Sequence, residues 1–504
     1  MDTEEFVSEY LERLGLAGAA LPPTAATLAA LQVAHVRCVP FENLDIMLGM
    51  PPSLVLEDLF QKMVVQRRGG FCYELNGLFA VLLERLGFDV QRLAGWVPSC
   101  QDAFDHIALR VSVPGAGECA GAGEDFLVDV GFRNGALAPL RFKAKVAQED
   151  AKGLYRLRSC EEGLWLERQP ALGAGATSGA EWLPCYRLRL QPHTLKDFAP
   201  RCRQFATDPA FPFLRRPSCS VETIAGQLYM NEAKLAAPGA PETEVADGRD
   251  FAKQLLRQFD AMPGKLALSR PATSADDAWE VADVVALEQH IAAEGTPLLE
   301  LMNRAGAALA ECVESLVATV AMADRVRAGA AAKRGAEALA SCSSAPGVLV
   351  LAGTGNNGGD GWVAARLLGE RGIPTTLVTP RPAEELRAEP ARTAALEAHA
   401  SDTFAVLCAP AEAALAAALA EAAVVVDAIF GTGFAAGEIR EPYATWIRLA
   451  NAACAHKPLV SADIPSALAV QADATVTMLR VKRTLRAPEA TPLVGQLRLA
   501  PLDQ

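Results

Sequence analysis

Zinc-binding and export signatures are missing from this sequence. Its twelve cysteines form no CxxC pair and no Cys/His metal pattern, and the six histidines are scattered. No run of 18 apolar residues occurs, so a membrane-spanning helix is not expected. Basic side chains are outnumbered, 47 against 60 acidic. The resulting formal charge of −13 repels phosphate backbones and excludes general nucleic-acid binding. The opening MDTEEFVSEYLERLG is acidic and amphipathic, unlike a secretory signal or an Arg-rich transit peptide. The expectation is a cytoplasmic protein with reduced thiols, whose partners are small molecules rather than nucleic acid or membrane.

What is present is a long chain with ordinary globular composition. Its 504 residues are 51% hydrophobic and 21% charged, enough for three to four domains. Two halves have different grammar. Residues 1–265 mix Pro-rich turns with short alternating strands. From about 346 a strand-then-helix rhythm sets in: GVLVLAG (347–353), TTLVT (375–379), FAVLC (404–408), AVVVDAIF (423–430) and PLVSADIP (458–465) read as buried parallel strands with helices between them. A polar segment rich in Pro, Ser and Thr joins the halves and reads as a linker over 266–280, leaving 281–504 as the second domain. The Ala-rich stretch 321–347 reads either as helix or as a loosely held insertion.

In the first half, RRGGFCYELNGLFAVLLERLGF places Cys72 just ahead of a helix. Leu75, Leu78, Phe79, Leu82, Leu83 and Leu86 share one apolar face, and Gly87 ends it. A thiol in the first turn feels the positive end of the helix dipole, which favours thiolate, and Arg67 and Arg68 add positive charge. Two strand-like runs, DHIALRVSV (105–113) and FLVDVGF (126–132), pair as a hairpin with His106 directly opposite Asp129 if the register is right. A carboxylate would then orient an imidazole that serves the thiol.

Taken together, PFENLDI (40–46), RGGFCYELN (68–76), HIALRV (106–111), VDVGF (128–132) and PLRF (139–142) resemble the arylamine N-acetyltransferases. The resemblance implies a helical bundle, then a β-barrel, then an α/β lid, with Cys72 as acyl-accepting nucleophile, His106 as base and Asp129 as orienting acid. It also implies acetyl-CoA as donor and an arylamine or hydrazine as acceptor, in a ping-pong reaction. Arg133 departs from the family, where a small residue is usual, and a long cation there is expected to alter the acceptor pocket.

In the second half, strand VLVLAG runs into Gly353-Thr-Gly-Asn-Asn-Gly-Gly-Asp-Gly361 and a helix. This is a GxGxxG turn in the context that gives the motif meaning. The acid expected at the end of the second strand of a dinucleotide dehydrogenase is absent; TTLVTPRP carries Arg381 instead. Asp427 and Asp463 lie at carboxyl ends of strands, where open sheets bind ligands. ALEQHIAAEGTPLLELMNRAG (286–306), GNNGGDG (355–361), VVDAIFGTG (425–433), REPY (440–443), DIPSA (463–467) and ADATVT (472–477) resemble the NAD(P)H-hydrate epimerase domain, a Rossmann-like three-layer α/β/α sandwich.

By that resemblance hydrated NAD(P)H is bound by Asn356, Asn357, Gly358, Gly359, Asp360, Gly431, Thr432, Gly433, Phe434, Ala435, Ala436, Gly437 and Asp463. Asn357, Asp427 and Ser466 hold a potassium ion, Asp360 or Asp463 exchanges the proton, and a homodimer forms through this domain. Ala467 stands where the family has glycine, and the loop that follows is shortened to Leu468–Gln471. The whole reads as a multidomain α/β chain joining an acyltransferase to an isomerase. The alternatives are a cysteine hydrolase in the first half and a non-catalytic ligand-binding or self-associating module in the second.

Overall fold

The computed structural model describes residues 2–100, 102–114, 123–170, 181–264, 268, 278–333, 345–434 and 437–503. The chain divides into two compact units, Met1–Thr243 and Glu244–Gln504.

Helices open the first unit. Thr24 caps Ala25–Cys38 through a hydrogen bond accepted from the Thr27 N–H, and Cys72–Arg85 follows. The apolar face expected on the latter is buried: Leu75, Leu78, Phe79, Leu82 and Leu83 pack with Phe6, Tyr10, Leu28 and Leu31 of the preceding helices and with Leu109, Val111 and Val128 of the following sheet. Leu86 ends the helix and Gly87 takes φ 88°, the left-handed conformation glycine adopts without strain.

An antiparallel sheet of eight strands comes next. Its spatial order is Leu140–Arg141, Glu124–Val128, His106–Val113, Asp89–Trp96, Leu183–His193, Gly163–Pro170, Gly153–Cys160 and Ala147–Asp150. The resemblance implied a barrel. Among the described residues the first and last of these strands remain edges, so hydrogen bonding forms an open sheet rather than a closed ring. The lid expected after it contains the helix Ala199–Thr207 and the hairpin Ser218–Thr223 with Gly226–Asn231, to which Phe41–Glu42 adds as a neighbouring strand.

The second unit is built on seven parallel strands, ordered Ala405–Cys408, Thr375–Thr379, Val348–Ala352, Val424–Ala428, Leu459–Ala462, Ala474–Met478 and Gln496–Ala500. Val348, Val350 and Ala352 belong to one core cluster, and Leu349 and Leu351 to another. The sheet is therefore buried on both faces, which explains why its strands read as unbroken apolar runs. The strand order reverses between Val348–Ala352 and Val424–Ala428, and a crevice opens at such a switch point.

Two expectations are corrected in this unit. The linker was placed at 266–280, but residues 244–264 already pack in the second unit. Lys253 (2.7 Å) and Arg257 (2.5 Å), on the helical turns that follow Gly248, ion-pair with the buried Asp473. Leu268 and Ala278 are buried there too, and Trp279 donates its N–H to the Val481 carbonyl, so parts of the supposed linker are anchored. The Ala-rich stretch from 321 continues a helix, Leu298–Lys333, while residues 334–344 lie outside the described residues. Its segment Leu298–Ala330 is long and apolar enough to cross a membrane, contrary to the sequence reading. Nearly three quarters of its most apolar window is buried within the unit, which marks a core helix.

Candidate functional site

Cys72 occupies the first turn of its helix, buried at 3% exposure. Asn76, one turn on, ties the helix to Asp129 and to the strand residue after His106. Its amide donates to the Ile107 carbonyl (2.8 Å) and to Asp129 Oδ1 (2.9 Å), and its oxygen accepts the Val130 N–H. A Cβ on Gly131 would lie 2.7 Å from Cys72 Cα, so only glycine lets the segment after Asp129 close onto the cysteine turn.

His106 Nε2 meets Asp129 Oδ2 at 2.7 Å, which leaves Nδ1 as the other working nitrogen. The pairing register is not the expected one. Leu109 faces Val128, which by extension sets Ala108 rather than His106 opposite Asp129. An even slip of two residues keeps Asp129 on the His106 side of the sheet, so the pair still forms. Gly95 faces His106 across the neighbouring strand and makes room for the ring, which packs against Phe132 and Tyr186.

Asp129 is fully satisfied: His106, the Tyr186 hydroxyl (2.8 Å), Asn76 and the Gly131 N–H (2.9 Å) all donate to it. Burial alone would raise its pKa, but the His106 charge and these bonds outweigh it and hold the carboxyl below its ordinary value. The thiol goes the other way. Burial, then the negative charge of Asp129, push Cys72 well up, against a smaller lowering by the Tyr73 N–H.

Arg68 does not help the sulfur as expected. Its buried guanidinium is committed to Glu42 (2.6 Å) and Asp45 (2.8 Å), and Lys62 joins Asp45 to Glu74, whose carboxylate caps the Phe71 N–H. This network ties the PFEN segment to the RGGF loop and fixes the turn that carries Cys72. Arg133 lays its guanidinium over Tyr229, 4.7 Å from the ring centroid, and lines a narrow cleft with Phe132 and Glu222.

Tyr186 and Asn76 were not singled out from sequence. Tyr186 lies on the strand Leu183–His193, 57 residues from Asp129, with no local signal. Tyr186→Phe is expected to lower kcat about tenfold with KM unchanged, because one of two donors to Oδ2 is lost and the imidazole is oriented less firmly. Steady-state kinetics at fixed pH checks this.

In the second unit a cavity of about 650 Å³ opens at the switch point. Asn356, Asn357, Asp360, Gly431, Thr432, Gly433, Phe434 and Asp463 line it, as expected. Gly358 and Gly359 are not at its wall but serve packing: a Cβ on Gly358 would fall 2.0 Å from the Gly353 carbonyl oxygen. Gly437 is also off the wall, and Ala435 and Ala436 lie outside the described residues. Glu288 and Met302, inside the 286–306 motif but not singled out there, also line the wall.

Asp427 and Ser466 come together behind it. The Ser466 hydroxyl (2.5 Å) and N–H (2.9 Å) and the Ser461 hydroxyl (2.8 Å) donate to the carboxylate, which burial pushes above its ordinary range. Asn357 packs on Gly431, the residue after Phe430, whose N–H is held by Ser466 Oγ. Asn357 is 8% exposed and neither its amide oxygen nor its nitrogen has a partner. Among the described residues the donors to the buried Asp427 carboxylate are neutral; with the orphan amide of Asn357 this oxygen-bearing set fits a monovalent cation.

Ala467 has φ 56° and Leu468 φ 49°, the left-handed conformation the missing glycine would have supplied. Ala467→Gly relieves a strain of about 1–2 kcal/mol, partly offset by glycine's larger unfolded-state entropy. Thermal unfolding is expected to show unchanged or raised stability, by up to about 1 kcal/mol.

Residues 24–261 match the family described as N-acetyltransferase, and 298–484 match the YjeF-related protein N-terminus. The arylamine N-acetyltransferase of Mycolicibacterium smegmatis is 36% identical over 243 residues, 47% of this chain and 83% of that protein. The chain belongs to the arylamine N-acetyltransferase family. Arylamine N-acetyltransferase 2 of Mus musculus is 27% identical and covers 44% of this chain and 79% of its own length. The solved Mycobacterium marinum arylamine N-acetyltransferase in complex with CoA is 30% identical over 50% of this chain and 92% of that one, with a TM-score of 0.45. The N-acetyltransferase match runs past Thr243, so its last residues, 244–261, fold within the second unit.

Proposed function

We propose that the first unit transfers acetyl groups from acetyl-CoA to an arylamine or hydrazine by a ping-pong route. The observation that carries this is the buried His106–Asp129 pair, locked by three further donors to Asp129 and tied through Asn76 to the turn bearing Cys72. Burial disfavours a resting thiolate, so His106 must take the thiol proton as the sulfur attacks the thioester carbonyl. The proton then goes to the departing CoA sulfur, leaving acetyl-Cys72. An incoming amine attacks that thioester, His106 accepts its proton, and the thiol is restored. Thioester exchange is close to balanced in free energy, so positioning and proton transfer are the protein's levers. Incubation with acetyl-CoA and an aniline tests this: acetylated amine supports it, whereas free acetate without acetylated amine supports a cysteine hydrolase.

For the second unit we propose epimerisation of hydrated NAD(P)H in the switch-point cavity. The orphan amide of Asn357 at its wall carries this reading, together with acids at the carboxyl ends of the strands. Asn357, Asp427 and Ser466 would hold a potassium ion, which supplies positive charge beside a buried carboxylate. Chromatography of the two hydrate epimers with and without the protein tests the reading, and an interconversion no faster than the spontaneous one supports a non-catalytic module.

A further inference from the structure

The cavity wall holds an acid–base arrangement that depends on a residue outside the resembled motifs. Asp463, at the end of the strand Leu459–Ala462, has φ 63°, a conformation rare for any residue but glycine, asparagine or aspartate. Its Oδ1 ion-pairs with Lys482 Nζ and faces the Thr477 hydroxyl and the Met478 N–H (both 3.3 Å). Lys482 is 1% exposed, and its other contacts go to the Met478 carbonyl (2.8 Å) and Thr477 Oγ1 (3.2 Å). A buried ammonium with every proton engaged is a fixed charge, able to hold its partner carboxylate in place. Asp360, on the facing helix Asn356–Glu370, and Glu288, on Val281–Ala293, bring two further carboxyls to the same cavity.

We propose that Asp463 is the base and Asp360 the acid of the epimerisation, and that Lys482 is the residue that positions and charges Asp463. This rests on the epimerase reading above. The hydrated carbon of the nicotinamide ring carries a hydroxyl and is bonded to the ring nitrogen. Asp463 accepts the hydroxyl proton and the carbon–oxygen bond becomes a carbonyl. The carbon–nitrogen bond breaks, its electron pair goes to nitrogen, and nitrogen takes a proton from Asp360. The open aldehyde turns about its neighbouring single bond. Nitrogen then adds to the other face, its proton returns to Asp360, and the new alkoxide recovers the proton from Asp463. Atoms and electrons balance without a co-reactant. The assignment has electrostatic support: enclosure, then the charges of Asp463 and Glu288, push the Asp360 carboxyl well up, with Lys482 opposing. Glu288 is raised as well, by burial and by Asp463, with Lys482 opposing.

The test uses the full chain and a mixture of the two NADH hydrate epimers, with kcat and KM followed across pH for wild type, D463N, K482M and K482R. Asparagine tolerates the left-handed backbone at 463, but D463N takes the counter-ion from the buried Lys482, so circular dichroism checks the fold of each variant before its kinetics is read, and K482R keeps the pair in place. Expected are a fall in kcat of about 100-fold or more for D463N with KM changed less than about threefold. K482M is expected to lose about tenfold in kcat at neutral pH with KM changed less than about threefold, and K482R, which keeps a cation beside Asp463, to restore most of that kcat. Wild-type kcat in D463N or in a folded K482M, or a K482R no better than K482M, overturns the proposal while the epimerase reading stands. Wild type that does not exceed the spontaneous rate overturns the epimerase reading itself, and the proposal with it.

Discussion

Cys72→Ser is expected to abolish acetyl transfer, with a loss of at least about 10³-fold in kcat/KM, and to leave the fold intact. Serine fits the volume, and the core around Cys72 is set by Phe71, Tyr73, Ile107 and Phe198 rather than by the sulfur. What disappears is the nucleophile. An alkoxide is far harder to form than a thiolate, and attack by a hydroxyl would make an ester from a thioester instead of exchanging like for like. Intact mass after exposure to acetyl-CoA alone is the matching measurement. Wild type should gain one acetyl group, mapped to the peptide containing Cys72, and the variant none. Acetylation elsewhere, or an active serine variant, would remove Cys72 from the reaction.

Asp129→Asn is the second large effect, about 10³–10⁴-fold in kcat with KM little changed. The substitution preserves shape but turns one of two acceptors into a donor. Four donors converge on this carboxylate, from His106, Tyr186, Asn76 and Gly131, and an amide cannot accept from all of them. Either His106 loses the partner that fixes its ring or a buried donor is orphaned. The same change removes the anion that would stabilise an imidazolium. A decrease of only a few fold would mean that His106 is oriented by packing against Phe132 and Tyr186 alone.

Much of this was legible in the residues. The period of Leu75, Leu78, Phe79, Leu82 and Leu83 located the cysteine helix, and the apolar runs from 347 onward located the parallel strands, because both follow from local burial. His106 and Asp129 were paired from an assumed register that was wrong by two. The conclusion survived because strands repeat every two residues. Long-range electrostatics was not legible. Arg68 read as a cation serving the sulfur, yet its partner Glu42 lies 26 residues earlier in sequence and absorbs that charge. The helix dipole read as favouring the Cys72 thiolate, but burial and Asp129 act against it. Tyr186 and Lys482 carried no motif, since their roles arise only when distant strands meet. The glycine missing at 467 was legible, because its left-handed backbone is a local requirement.

Cys72 depends on His106 for deprotonation, not on its place at a helix end. Alkylation of Cys72 by iodoacetamide, followed from pH 6 to 10 by peptide mass spectrometry in wild type and in His106→Ala, tests it most directly. Because the thiol is pushed up, its thiolate fraction at neutral pH falls about tenfold for every unit of that rise once the imidazole is gone. The variant is expected to react at least about 100-fold more slowly at pH 7, its rate climbing about tenfold per pH unit with no plateau near neutrality. Superimposable profiles for the two proteins would contradict it.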